Sequence, residues 1–135
     1  MKKEIFVVGA IIIRDKKILC CQRGEGRSLS NLWEFPGGKI EKNESTAEAL
    51  ERELMEELQV QVEISEHLFE STTYEYDFGI VTLKTYICHL KTGEPVLTEH
   101  IQSKWLSTNQ LDQLDWAPAD IPAVQKLIQQ GICDE

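Results

Sequence analysis

Seven glutamates crowd into the 24 residues from Gly37 to Val60, GGKIEKNESTAEALERELMEELQV. Three of them, Glu53, Glu56 and Glu57, stand at i, i+3 and i+4, a spacing that brings their carboxylates within about one helical turn. Like charges so placed repel by a few tenths of a kcal/mol per pair in water, and by more when partly desolvated. A cation relieves that repulsion. Carboxylate oxygens are hard ligands that suit Mg²⁺ or Mn²⁺, and no His or Cys is interleaved to favour zinc. The competing explanation is a solvated acidic face on a surface helix. The lead-in decides between them: Phe35-Pro36-Gly37-Gly38 supplies a turn whose glycines permit positive φ and close backbone approach, directly before the acidic helix.

The element that must carry these carboxylates is legible at both ends. Ser45-Thr46-Ala47-Glu48 has the spacing of a capping box, which predicts a helix starting at about Thr46. Ala47, Leu50, Leu54 and Leu58 recur at three- and four-residue steps and form an apolar stripe that buries against a core.

Gly38, five residues, Glu44, seven residues, then Arg52-Glu53-Leu54-Met55-Glu56-Glu57-Leu58-Gln59-Val60 resembles the Nudix box, G-x5-E-x7-R-E-U-x-E-E-x-G-U, with U aliphatic. The departure is Gln59, where the pattern has the glycine that ends the helix in a left-handed residue; glutamine adopts that shape at a cost of about 1 kcal/mol. The resemblance extends over essentially the whole chain and implies the Nudix α/β/α sandwich, a mixed sheet packed between helices, as a single domain over residues 1–135. Glu34 to Glu41, the separate Glu99 and the run Ala117-Pro118-Ala119-Asp120-Ile121-Pro122 look like MutT-type nucleoside triphosphate pyrophosphohydrolases, the last run being similar to the CTP pyrophosphohydrolase branch.

What the resemblance implies is Mg²⁺-dependent hydrolysis of a nucleoside triphosphate to monophosphate and pyrophosphate. By it, the Gly37 carbonyl, Glu53, Glu56 and Glu57 ligate metal, and Glu99 is a further ligand or the base for water. Arg52 orients Glu53, and Glu44 braces the loop onto the helix. Arg23, Phe35, Gly38, Lys39 and Asp120 fall at substrate positions. Arg23 and Phe35 read equally as a strand-end arginine and a core phenylalanine. Asp120, two residues before Pro122, also suits a helix N-cap. An ionised Asp120 offers two acceptors to the N1–H and 2-amino donors of guanine, which makes 8-oxo-dGTP the leading substrate; the similarity to the CTP branch makes CTP or modified dCTP the alternative. A dinucleoside polyphosphate, a nucleotide sugar or a non-catalytic binding module are further readings.

Composition limits the partners. The 135 residues carry 23 acidic and 14 basic side chains, net −9, which disfavours a nucleic-acid polymer or an anionic membrane but suits a small nucleotide bringing its own metal. No apolar run reaches membrane-spanning length, so a cytoplasmic protein is expected, as monomer or dimer. Cys20, Cys21, Cys88 and Cys133 lack ligand spacing and read as buried free thiols, with Cys20 and Cys21 on opposite faces of a strand. His67, His89 and His100 are scattered and read as ordinary surface or strand residues. Strands are expected at Ile5 to Ile13, Lys17 to Gln22, Val60 to Ile64, Leu68 to Tyr76, Ile80 to Leu90 and Lys104 to Leu106. A polar loop over Arg23 to Asn31 separates the second from the glycine turn, a helical turn spans Asn109 to Leu114, and a closing helix runs from Ile121 to Gln130.

Overall fold

The computed structural model describes residues 2–132. Its strands are β1 (Glu4–Arg14), β2 (Lys17–Gln22), β3 (Trp33–Glu34), β4 (Gly37–Lys39), β5 (Gln61–Ile64), β6 (Glu70–Tyr76), β7 (Gly79–Thr92) and β8 (Gln102–Leu106), and its helices are α1 (Thr46–Leu58) and α2 (Ile121–Gln130). The strands form one mixed sheet. β1 lies parallel to β7 from Glu4 opposite Ile80 to Ile13 opposite His89, and antiparallel to β2 and β4.

β1 is nearly continuous in apolar residues because both of its faces are covered. Val8, Ala10 and Ile12 pack with Ala49, Leu50, Leu54 and Leu58 of α1. Ile11 and Ile13, pointing the other way, pack with Ala123, Val124 and Leu127 of α2. The result is the α/β/α sandwich. The alternation extends to β2, where Cys20 joins the α2 side and Cys21 the α1 side. Cys20, Cys21 and Cys88 are buried free thiols, and burial pushes Cys20 and Cys88 up to about 12. Cys133 lies outside the described residues.

Four local readings need correction. The stripe of α1 uses Ala49, fully buried, in place of Ala47, which is exposed. Gly37-Gly38 is not a turn but the start of β4, with Val8 opposite Gly38 and Gly9 opposite Gly37. A two-glycine run carries no strand signal, and pairing with β1 overrides local preference. β7 continues past Leu90 to Thr92, where Gly93 at φ 94° turns the chain. Asp120 stands at the N-cap of α2, yet its side chain makes no capping bond; it is turned into a cleft.

Candidate active site

A cavity of about 480 Å³ opens where α1, β4, β3 and the segment before α2 meet. Glu53, Glu56 and Glu57 face it from α1, Glu99 from the loop before β8, and Asp120 from the segment before α2. Position 37 needs glycine for two reasons: its φ is 156°, and a Cβ there would strike the carbonyl oxygen of Val8. Gly38 is a matter of space alone, since a Cβ there would run into the Glu53 carboxyl group. The glycine pair thus lets the acidic helix lie against bare backbone, and the Gly37 N–H reaches Glu57 Oε1 at 3.3 Å.

Burial sets the charge state of these acids. Glu57 is 5% exposed, and desolvation, with the neighbouring charges of Glu34 and Glu53, pushes its carboxyl up to about 8. Glu53 is also raised, by desolvation first, with Arg52 working against the shift. Arg52 grips Glu44 with two bonds, Nε to Oε2 at 2.6 Å and Nη2 to Oε1 at 3.0 Å, and touches Glu53 Oε2 at 3.1 Å and Lys39 O at 3.0 Å. This forked pair pulls Glu44 down to about 2 and raises Arg52 further above its ordinary value. Glu44 Oε1 in turn accepts the Glu41 N–H at 2.9 Å, so the loop after β4 is tied to α1 through one guanidinium.

Asp120 is held by the chain that follows β3. It is 6% exposed, its Oδ2 accepts the Phe35 N–H at 3.1 Å, and desolvation followed by the charge of Glu34 raises its carboxyl well above the usual range. Phe35 contributes this N–H while its ring, 3% exposed, packs on Trp116 with centroids 4.9 Å apart. Arg23 lines the cleft with its guanidinium engaged: Nη1 to Glu34 Oε1 at 3.0 Å and Nε to Ser28 O at 2.8 Å. Lys39 lines the rim and is exposed.

The pattern that defines the NUDIX domain matches residues 4–127. The chain belongs to the NUDIX domain family. It is a Nudix hydrolase, similar to the 8-oxo-dGTP diphosphatase of Haemophilus influenzae, 34% identical over 130 residues covering 95% of each chain. It is likewise similar to the CTP pyrophosphohydrolase of Escherichia coli K12, 40% identical over 123 residues covering 91% of this chain and 90% of that one. The solution structure of the Nudix hydrolase MutT from methicillin-resistant Staphylococcus aureus 252 superposes with a TM-score of 0.79 at 56% identity, covering 97% of this chain and all of that one.

Nudix hydrolases use divalent metal ions, and this donor set fits one. Glu53, Glu56, Glu57 and Glu99 offer oxygen only, in a cleft where burial raises the proton affinity of Glu53 and Glu57. Among the described residues no three acids converge into a ready-made cage. Three of the four acids are paired with arginines: Arg52 holds Glu53 and Glu56, and Arg27 Nη1 holds Glu99 Oε1 at 3.2 Å.

Some residues of the Nudix cleft carried no assigned role in the sequence. Glu34, Arg27 and Tyr76 line it, and the Tyr76 hydroxyl accepts the Ala119 N–H at 2.8 Å beside Asp120. Glu34 stands inside the stretch that resembles MutT and was open to notice; Arg27 sits in a polar loop with no pattern to mark it. His100 is neither a surface nor a strand residue: its imidazole is buried against Glu34. His67 is exposed and His89 lies on β7, as expected.

Proposed function

We propose that the chain, acting as one domain in the cytoplasm, hydrolyses free nucleoside triphosphates to monophosphate and pyrophosphate with Mg²⁺, removing oxidised nucleotides from the pool. The observation that carries this reading is a single cleft lined both by an oxygen-only acidic cluster and by a buried Asp120 whose carboxyl is raised well above its ordinary range. Its size is that of a pocket for one small ligand. Glu53, Glu56, Glu57, Glu99 and the Gly37 carbonyl would hold the metal, which when bound neutralises the roughly four negative charges of a triphosphate. Of the two candidates for the base, Glu53 suits better: burial raises its proton affinity and Arg52 orients it, whereas Glu99 is exposed and paired with Arg27. Water attacks an inner phosphorus, its proton passes to Glu53, and the phosphoanhydride bond to pyrophosphate breaks. Release of orthophosphate in steps would exclude that route.

Burial raises the Asp120 carboxyl well above its ordinary range and so favours its neutral form, against the case for guanine based on two carboxylate acceptors. A neutral carboxyl group is a donor and an acceptor side by side. It pairs with O6 and N1–H of 8-oxoguanine, and Glu34 beside it supplies an acceptor for the 2-amino group. The same carboxyl pairs with N3 and the 4-amino group of cytosine, but Glu34 then meets the O2 acceptor. This favours 8-oxo-dGTP, in keeping with relatives that bear the name 8-oxo-dGTP diphosphatase. CTP is the second reading, supported by the neutral Asp120 and by the CTP pyrophosphohydrolase relative. The test compares kcat/KM for 8-oxo-dGTP, dGTP, CTP and 5-methyl-dCTP in wild type, Asp120→Ala and Glu34→Gln. Asp120→Ala should lose about ten- to a hundredfold in discrimination among them. An unchanged order of preference in both variants would remove these residues from base recognition.

A further inference from the structure

Glu99 is carried by a segment that is anchored on each side of it. Before it, the Thr98 N–H donates to Glu57 O at 3.1 Å, and Thr98 Oγ1 donates to Glu56 O at 2.8 Å. After it, the Ile101 N–H donates to Gln22 O at 3.0 Å. Only Glu99 and His100 lie between the two anchors. The His100 side chain has no exposure at all, and its Nε2 stands 2.9 Å from Glu34 Oε2. An ionised carboxylate only accepts, so Nε2 carries the hydrogen. Nδ1 is buried with no hydrogen-bond partner among the described residues, so within them the ring's polar attachment is this one bond. The other oxygen of Glu34 is taken by Arg23, which also holds Ser28, and the adjacent Arg27 returns to Glu99. The contacts close a ring along the wall of the cleft.

From this juxtaposition we infer that His100 is a positioning residue: its single bond to Glu34 fixes the wall that receives the base and, through the next residue back, the placement of Glu99. A buried imidazole beside a carboxylate could serve packing alone, but packing would not require its donor at one defined position. The inference rests on the proposed nucleotide hydrolysis, because its kinetic arm needs a turned-over substrate. It makes a chemical distinction between two amides. Glutamine at 100 places a nitrogen donor where Nε2 stands, whereas asparagine places one where Nδ1 stands, out of reach of Glu34.

The experiment measures kcat and KM for 8-oxo-dGTP and CTP in wild type, His100→Leu, His100→Gln and His100→Asn. It also records nitrogen-15 NMR spectra of the histidine ring in wild type and Glu34→Leu. We expect His100→Leu and His100→Asn to lose about ten- to a hundredfold in kcat/KM, with KM raised and kcat lowered together, and His100→Gln to stay within about threefold of wild type. The wild-type spectrum should show one hydrogen-bonded Nε2–H that Glu34→Leu abolishes. Folded His100→Leu with wild-type kcat and KM would overturn the inference. If His100→Leu does not fold, equal activities for His100→Gln and His100→Asn would overturn it. A ring nitrogen signal indifferent to Glu34→Leu would do so as well. A wild type that hydrolyses no nucleoside triphosphate sinks the proposed function instead, and the NMR arm still decides whether the His100–Glu34 bond exists.

Discussion

Glu57 binds its proton more tightly in the folded metal-free protein than in the unfolded chain, its carboxyl rising from 4.5 to about 8. A raised acid contributes stability that is whole below pH 4.5 and is lost as the pH climbs through about 8. Asp120, raised from 3.8, acts in the same direction. Glu44, pulled from 4.5 to about 2, acts in the opposite direction only in acid, its contribution disappearing as the pH falls toward 2. In the presence of a chelator the melting temperature should therefore fall between about pH 5 and pH 8, and Glu57→Gln should flatten that decline. A wild-type melting temperature that rises over this range would show that Glu57 is ionised without metal. Because a metal ligand must be deprotonated, Mg²⁺ binding below about pH 8 should release protons, which calorimetry in buffers of different ionisation enthalpy would count. Glu53→Gln or Glu57→Gln should also lower kcat by about a hundredfold or more while circular dichroism stays unchanged.

Elements divide into those whose cause is local and those whose cause is not. α1 was readable from its own residues: Ser45 and Glu48 form the reciprocal cap, and Gln59 closes the helix at φ 60°, ψ 39°, the left-handed shape that its place in the Nudix box demands. Gln59→Gly should therefore stabilise the protein by about 1 kcal/mol in denaturant titrations and leave kcat alone. β4 was not readable, because what makes Gly37–Lys39 a strand is β1, not its own composition. The two glycines should accordingly fail differently. Gly37→Ala meets backbone and adopts a strained φ, so it should cost about 2 kcal/mol or more. Gly38→Ala meets the end of a flexible side chain, so stability should change little while turnover drops with the displacement of Glu53. Asp120 illustrates the same limit elsewhere in the cleft. Sequence places it at a helix start in either case, and only the approach of Phe35, directly after β3 and 85 positions away, accounts for its carboxyl bonding there and not capping the helix.

The described residues pack into two main apolar layers, one on each face of the sheet, and β1 and β2 send alternate residues to each. Leu54 on the α1 side and Leu127 on the α2 side are 0% and 1% exposed. Each changed to Ala should cost about 2 to 5 kcal/mol, and the double variant should lose the sum to within about 0.5 kcal/mol, since the sheet separates them. Strong coupling in that double-mutant cycle would mean that the two layers do not pack independently. The sandwich was legible because burial on both faces leaves a continuous β-branched run; the ring of Arg23, Glu34, His100 and Arg27 was not, because His100 closes it from 66 positions beyond Glu34. One feature at the end of α1 links these scales in time. The carbonyls of Glu56, Glu57 and Leu58, which a helix end leaves without partners, are taken by Thr98 and Val96 from the segment that bears Glu99. Fraying of the last turn and departure of Glu99 are then one opening event. The amides of Val96, Thr98 and Gln59 should exchange with solvent deuterium at a common protection level, and added Mg²⁺ should slow all three together.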